Sequence, residues 1–494
     1  MSEREPHDEQ QESLELKSHE FLTGIFVDRS NPTSCEIADE IETKGKIPFS
    51  RFMEISLYGK HGYYSSGKVE IGTADEADFI TSPEASKHFC AGLAKELSKV
   101  WQAMGRPAKF DVVEMGAGTG EMASQILDWS KSFYPDFHKC INYNILEYGS
   151  GLIPRQQSKL TDQRVNWVNG NAYQLPFSGV KGVFISNELP DAFPVECVGK
   201  LNGELRQRYI SIKDGQWVER WEDVQEDVQE YIDRYNIQID ELSEIAVNLH
   251  AVELQKQLDA ALEEGAIISI DYGFINKRSQ PTISAVRQGG KNYSIGSKII
   301  STLAALENPA LASVLKSGSS TSVLKSESFT SILKSGFFKG KLSSNPMIIY
   351  QPPGDYDITS DVDFSALRQT ASYDGLQTVF LGSQGDFFAN KVGIGEIIRI
   401  LNTKPWSQLL TKDQYSSSPL SLKNLNRFGN YICLMVAKSQ DGRVEEQLSR
   451  PEPPIDLEDL EYGYPFRVWE AAASSSITIV RFYDGLFPHP PKLS

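Results

Sequence analysis

Cysteine is scarce, and the five present, Cys35, Cys90, Cys140, Cys197 and Cys433, never fall in a CxxC spacing. That leaves no zinc-binding signature and points to reduced thiols. His61 and His250 stand apart from other ligand candidates, so no metal site is expected. No apolar run approaches the roughly 20 residues that a helix needs to span a bilayer. Positive charge is also short, with 49 Lys plus Arg against 66 Asp plus Glu and a net charge of -17. Nucleic-acid affinity comes largely from cations that neutralise phosphates, so nucleic acid is not the expected partner. An acidic surface suits a basic one. The first twenty residues, "MSEREPHDEQQESLELKSHE", lack the apolar core of a signal peptide. They also lack the Arg-rich, acid-poor character of a mitochondrial presequence, so the expected location is the cytoplasm rather than the mitochondrial matrix.

What the chain does have is length and alternation. Its 494 residues, 40% hydrophobic and 23% charged, are enough for a large core and more than one lobe. Residues 1–18 read as a solvated acidic tail and 19–105 as an N-terminal cap region. Within the latter, the text from Ile47 to Thr81 is Gly- and Tyr-rich and irregular, with Tyr58, Tyr63 and Tyr64 available to wall a pocket. "TSPEASKHFCAGLAKELSKVWQAMG" reads as a helix, with Ser82 as cap and Pro83 at its first position. From 106 to 442, short apolar runs such as "KFDVVEMG", "INYNILEYG", "VNWVNGN", "GVFISNE" and "AIISIDYG" alternate with helical ones. These include the long "ELSEIAVNLHAVELQKQLDAALEEG". Such alternation implies a mostly parallel α/β sheet with helices on both faces.

Two segments interrupt it. "ELRQRYISIKDGQWVERW" reads as a β-hairpin turning at Asp214-Gly215, within an insert at 196–264 expected to form a substrate region. A Ser/Lys-rich loop insert at 286–346 contains a nonapeptide repeat, "SVLKSGSST", "SVLKSESFT", "SILKSGFFK". "DYDITSDVDFSALRQTASYDGL" restores a helix behind polar caps, "NYICLMVAK" is a late strand, and 443–494 is a C-terminal extension.

The strongest motif is "VVEMGAGTGEMASQIL". Glu114 comes at the end of a strand, and Gly116, Gly118 and Gly120 follow on alternate positions before a helix. A turn this rich in glycine lets a ligand approach the backbone and meet the N–H groups of the helix. Glu147 closes the next strand, where an acid can accept both ribose hydroxyls of an adenosine cofactor. It can equally cap the following helix. Asn171, after the third strand, is placed for an adenine edge or for an ordinary turn. The ExGxGxG spacing resembles the first motif of S-adenosylmethionine-dependent methyltransferases and stands against NAD, the surviving competitor, whose fingerprint places its third glycine one position later. Thr81 and Ser82 can close the same pocket as donors.

Taken together, "IPFSRFMEISLYGKHGYY", "DFITSPEAS", "VVEMGAGTG", "YNILEYGSGLIPRQQSKL", "SNELPDAFPV", "IDYGF" and "GDYDITSDVDFSAL" resemble the MidA-like family of methyltransferases. That family includes the mitochondrial complex I assembly-factor arginine methyltransferase. The resemblance implies a class I methyltransferase (Rossmann-like) fold, S-adenosylmethionine as cofactor, and protein-arginine methylation of a complex I-like subunit. It also puts Asn187, Glu188 and Asp191 where the acceptor nitrogen arrives, as a carboxylate cluster able to orient a guanidinium. The alternative for the cluster is a capped loop. For the whole chain the alternatives are a small-molecule methyltransferase or a non-catalytic, cofactor-binding assembly factor. A homodimer is compatible with all three. "RSQPTISAVRQGG", where the family carries a Gly-Thr-Leu-Arg run, and the repeat are departures from the pattern.

Overall fold

In the computed structural model, the apolar runs of the central segment lie side by side in one sheet. The structure describes residues 20–66, 69, 71, 80–85, 87–148, 151–241, 243–276, 283–287, 291–295, 343–344, 348–393, 431–450, 467–468 and 480–481. The acidic tail and the nonapeptide repeat at 313–339 lie outside the described residues.

The N-terminal part supplies β1 (Glu20–Phe26), α1 (Pro32–Lys44), β2 (Ile47–Pro48), α2 (Phe49–Tyr58), α3 (Ser82–Ala85) and α4 (Lys87–Ala103). There follow β3 (Phe110–Met115), α5 (Glu121–Phe133), α6 (Pro135–Cys140), β4 (Ile141–Glu147), α7 (Ile153–Lys159), β5 (Val165–Asn169) and β6 (Val180–Asn187). After them come β7 (Glu196–Leu201), β8 (Glu204–Lys213), β9 (Gln216–Asp223), α8 (Glu226–Arg234), β10 (Glu244–Val247), α9 (Leu249–Ala261) and β11 (Leu262–Phe274). The remainder comprises β12 (Ile283–Arg287), β13 (Lys291–Ile295), β14 (Ser343–Ser344), β15 (Asp357–Ser360), β16 (Val362–Asp363), α10 (Phe364–Tyr373), β17 (Gln377–Ser383), β18 (Tyr431–Lys438) and α11 (Arg443–Ser449).

The main sheet runs β17-β18-β11-β6-β3-β4-β5. β11, β6, β3, β4 and β5 are mutually parallel, and β18 is antiparallel to both of its neighbours. Adjacent residues of each central strand enter opposite cores, as a pleated strand covered on both sides requires. Val112, Ile185 and Ile268 pack with Leu97 of α4 and Ile126 of α5. Val113, Phe184 and Ile267 pack with Leu258 of α9 and Leu367 of α10. The mixed α/β, class I methyltransferase-like order expected from the sequence is therefore present.

A second sheet, β1-β9-β8-β7-β10 with β2 on β8, holds the expected hairpin. Asp214 (φ 51°) and Gly215 (φ 72°) make its turn. The hairpin is not an isolated insert, however, because N-terminal β1 pairs with β9. Arg208 is fully buried beneath this sheet, 4.2 Å over the Phe49 ring and 3.1 Å from Glu244, which locks α2 onto it.

Four readings need correction. The long helix expected at "ELSEIAV…" is a strand, β10, followed by α9, because Asn248 accepts the Ala251 N–H and caps a new helix. Residues 49–58, read as irregular, form α2, whose Phe49, Phe52, Met53 and Leu57 bury one helical face. The loop insert opens on the end of β12 and then contains strand β13, paired to it. The extension begins with α11, whose Val444 and Leu448 are in the core.

The central pairing leaves no room for side chains at two matched positions. A Cβ on Gly182 would sit 1.9 Å from Asp111 O, and one on Gly265 would sit 1.8 Å from Gly182 O. Gly182→Ala should therefore destabilise the chain by about 3 kcal/mol, the upper range of overpacking costs. Urea denaturation checks this, and an unchanged midpoint would show that β3 and β6 are looser than this register.

Candidate active site at the C-terminal edge of the sheet

Parallel strands end together, so the loops after β3, β4, β5, β6 and β11 converge on one edge, the usual ligand crevice of such sheets. After β3, Gly116, Gly118 and Gly120 have φ of 69°, 53° and 77°, a left-handed backbone that side chains disfavour. A Cβ on Gly116 would come within 3.0 Å of Leu189. α5 starts immediately after Gly120 with no side-chain cap, leaving its first N–H groups for a ligand.

Glu147, only 7% exposed, accepts from Gln156 Nε2 at 2.8 Å and from the Ala117 and Tyr148 N–H groups. Gln156 also donates to Gly118 O at 3.0 Å, so one amide ties the acid to the glycine loop. Burial pushes the Glu147 carboxyl up to about 7. Glu114, fully buried, accepts from Tyr143 Oη at 2.7 Å, and burial raises it to about 8. Its Oε1 has no hydrogen-bond partner. Asn171 follows β5 at the same edge, but its side chain accepts the Tyr173 N–H at 2.8 Å and caps a short turn.

Thr81 and Ser82 join the glycine loop to the end of β6. The Thr81 hydroxyl pairs with Glu84, whose other oxygen accepts from Thr119 Oγ1 at 2.7 Å. The Ser82 N–H donates to Glu188 Oε1 at 3.3 Å, and its hydroxyl donates to Gln384 Oε1 at 3.2 Å. Ser82 is thus the first residue of its helix rather than a side-chain cap.

Asn187, Glu188 and Asp191 stand together after β6. Glu188 has φ 53°, a strained conformation for a residue with a side chain. Burial, then the neighbouring Asp191 charge, push its carboxyl up to about 8. Burial likewise raises Asp191 to about 6. The register Ile270↔Asn187 brings Asp271 and Tyr272 of β11 beside them. Asp271, fully buried, is pushed well up by burial and then by Asp191 and Glu188. Tyr58 and Tyr64 stack at 5.5 Å; Tyr58 Oη donates to Ala192 O and Tyr64 Oη to Asp357, each at 2.9 Å. Tyr148 meets Tyr58 edge-on at 5.6 Å. Residue-level reading missed Gln156, Thr119, Asp271 and Tyr272. The signal for Asp271 was present: an acid closing the strand that pairs in parallel with β6.

Residues 92–297 match a family model described as "Putative S-adenosyl-L-methionine-dependent methyltransferase". The chain is 26% identical over 284 residues to the Drosophila melanogaster "Protein arginine methyltransferase NDUFAF7 homolog, mitochondrial", covering 51% of this chain and 62% of that protein. It is 24% identical over 258 residues to the Homo sapiens "Protein arginine methyltransferase NDUFAF7, mitochondrial", covering 47% and 57%. The chain thus spans less than two thirds of the length of these curated relatives. A solved Burkholderia thailandensis protein bound to S-adenosyl-homocysteine superposes with a TM-score of 0.62 at 24% identity, covering 82% of this chain and 92% of that one, and so shares the fold. Over residues 92–297 the chain is thus similar to the MidA-like S-adenosyl-L-methionine-dependent methyltransferases.

Proposed function

We propose that this protein transfers a methyl group from S-adenosylmethionine to an arginine side chain of a protein, with a subunit of a complex I-type assembly as target. The observation that carries the reading is the meeting, at one sheet edge, of a glycine loop, a buried acid at the end of β4 and a separate carboxylate cluster. The residues fit the cofactor. Three left-handed glycines keep the backbone open, α5 offers uncapped N–H groups, and Glu114 keeps a buried oxygen without a donor. Glu147 would accept from the ribose hydroxyls, with Asn171, Thr81 and Ser82 as further polar groups for the same cofactor. When bound, the cofactor supplies a methyl group on a sulfonium.

The remaining chemistry belongs to the acceptor side. A guanidinium is always cationic and pairs with carboxylates in a fixed plane. Asn187, Glu188 and Asp191 are held by packing and hydrogen bonds, so they can orient it without rearranging. The Asp191 carboxylate would stabilise the cation and take up the N–H proton that the guanidinium nitrogen loses as it accepts the methyl group. The names of the arginine methyltransferase relatives support this choice of acceptor.

Saturating S-adenosylmethionine should raise the melting temperature, since a ligand at 100 times its Kd stabilises by about 2.7 kcal/mol. Glu147→Ala should lose most of that shift; stabilisation by NAD and none by S-adenosylmethionine would overturn the cofactor assignment. Asp191→Asn should keep the shift yet slow methyl transfer to an Arg-containing protein substrate by roughly 10²-fold, the scale of losing one preorganised electrostatic partner. Full activity in that variant would reduce the cluster to a loop cap. The pH dependence follows from Glu114 and Glu188, both raised to about 8 in the folded chain. A raised carboxyl adds stability that is complete below its unfolded pKa and fades as pH climbs through the folded value. Ligand-free protein should therefore melt at lower temperature at pH 9 than at pH 6, and Glu188→Gln should flatten the slope. A melting temperature that rises over that interval would contradict the burial of ionisable acid.

A further inference from the structure

Glu188 and Asp191 differ in how their oxygens are used. The Glu188 carboxylate is occupied: the Ser82 N–H, the Asn187 amide and the Tyr431 hydroxyl all donate to it. Asp191 Oδ2 accepts from Tyr272 Oη at 2.6 Å, and the carboxyl is also tied to the Ala192 N–H and to Asp271. Asp191 Oδ1 has no hydrogen-bond partner although the residue is only 5% exposed. Asn187, 8% exposed, likewise keeps its carbonyl Oδ1 without a donor. A buried acceptor left unmade costs about 1–3 kcal/mol, so two in one turn call for a reason.

Asp271 explains how Asp191 is held. Its Oδ2 accepts the Asp191 backbone N–H at 3.1 Å and its Oδ1 accepts the Tyr272 N–H at 2.8 Å. Its oxygens hold backbone on the β6 loop and on β11, and the Asp271 and Asp191 carboxyls also hydrogen-bond to each other. Tyr272 completes the grip through its hydroxyl. The groups facing this turn from the surrounding elements are Glu188, Asp271, Asp357, Tyr58, Tyr64, Tyr272 and Tyr431. Among the described residues, no Lys, Arg or His forms an ion pair with Glu188, Asp191 or Asp271. The balancing charge is not supplied by that part of the protein.

We propose that Asn187 Oδ1 and Asp191 Oδ1 together receive a cationic N–H group of the acceptor, and that Asp271 and Tyr272 are positioning residues that fix Asp191 for it. This deepens, and rests on, the methyltransferase reading above. It divides the cluster into two jobs. Asn187 and Asp191 touch the acceptor, while Glu188 binds the Ser82 segment to the loop. The ligand class follows from the donor count: both free atoms are acceptors, so the group must bring N–H donors and positive charge. A guanidinium does both, and a neutral urea of the same shape lacks the charge.

Titration of the full chain with ethylguanidinium and with ethylurea, by ligand-observed NMR with and without S-adenosylhomocysteine, tests this. Ethylguanidinium should bind and ethylurea should bind at least tenfold more weakly. Asp191→Asn should weaken the cation roughly tenfold or more, the scale of a charge-assisted hydrogen bond, and by more than Glu188→Gln does. Tyr272→Phe preserves the ring but removes the donor to the Asp191 anion. It should shift the pH midpoint of cation binding upward while leaving cofactor stabilisation intact, a change that mere loosening of the fold would not produce. Equal binding of the two probes, or an unaffected Asp191→Asn, overturns the proposal. Cofactor stabilisation without cation binding sinks this proposal alone. Cation binding without cofactor stabilisation sinks the methyltransferase reading and, with it, the acceptor role given to these two oxygens.

Discussion

The site depends on the parallel register of β3, β6 and β11. Asp111 and Gly265 both align with Gly182, and from that point the three strands rise in step to Met115, Asn187 and Ile270. Each loop that bears a candidate functional group leaves the sheet from this common level. The close backbone approach at Gly182 and Gly265 allows so tight a register. Because side chains alternate faces, a slip of one residue would turn Val183, Phe184 and Ile185 to the wrong cores. It would also separate Asp271 from the Asp191 N–H that it accepts. Core packing and site geometry are thus fixed by the same hydrogen-bond ladder.

How much of this was readable beforehand depended on whether the cause was local. The glycine turn and Glu147 were legible because the reasons for them lie within a few residues of themselves: positive φ, the start of a helix, the end of a strand. α10 was legible for the same reason, with Asp363 accepting the Ser365 and Ala366 N–H groups at 3.1 Å. β10 was not, since "EIAV" fits a helix as well as a strand and becomes a strand only by pairing with β7. The second sheet was hidden for a stronger reason: Glu20 pairs with Arg220, two hundred residues away in the chain, and periodicity carries no trace of that partner. Asn171 shows the opposite limit. Its position was readable, but its hydrogen bond to the Tyr173 N–H could not be told in advance from a ligand contact.

Net charge and local charge make separate arguments. The -17 of the whole chain says something about partners and solubility, since exposed charges are screened within about 10 Å in ordinary salt. Glu114, Glu147, Asp191 and Asp271 are instead buried, with Glu188 half-buried beside them, where screening is weak and each ionised form is costly. Such a group is kept neutral or met by a partner, and the hydrogen bonds from Tyr143, Gln156 and Tyr272 meet part of the demand.

The N-terminal part then becomes a component of the site rather than a cover beside it. α2 is fixed to the second sheet by Arg208 under Phe49, and β7 of that sheet emerges directly from the loop that carries Asp191. Tyr58, the last residue of α2, reaches back across this corner to donate to Ala192 O, and its ring stacks on Tyr64, which holds Asp357. A displacement of α2 would move the Pro190–Ala192 turn through that hydrogen bond. It would also break the contact between the Tyr58 and Tyr148 rings beside Glu147. Glu147 and the Pro190–Ala192 turn are therefore linked twice, once through the sheet register and once through a tyrosine stack from the opposite side. Two independent ties hold the two halves of the site at a fixed separation, which is the condition an in-line transfer places on the protein.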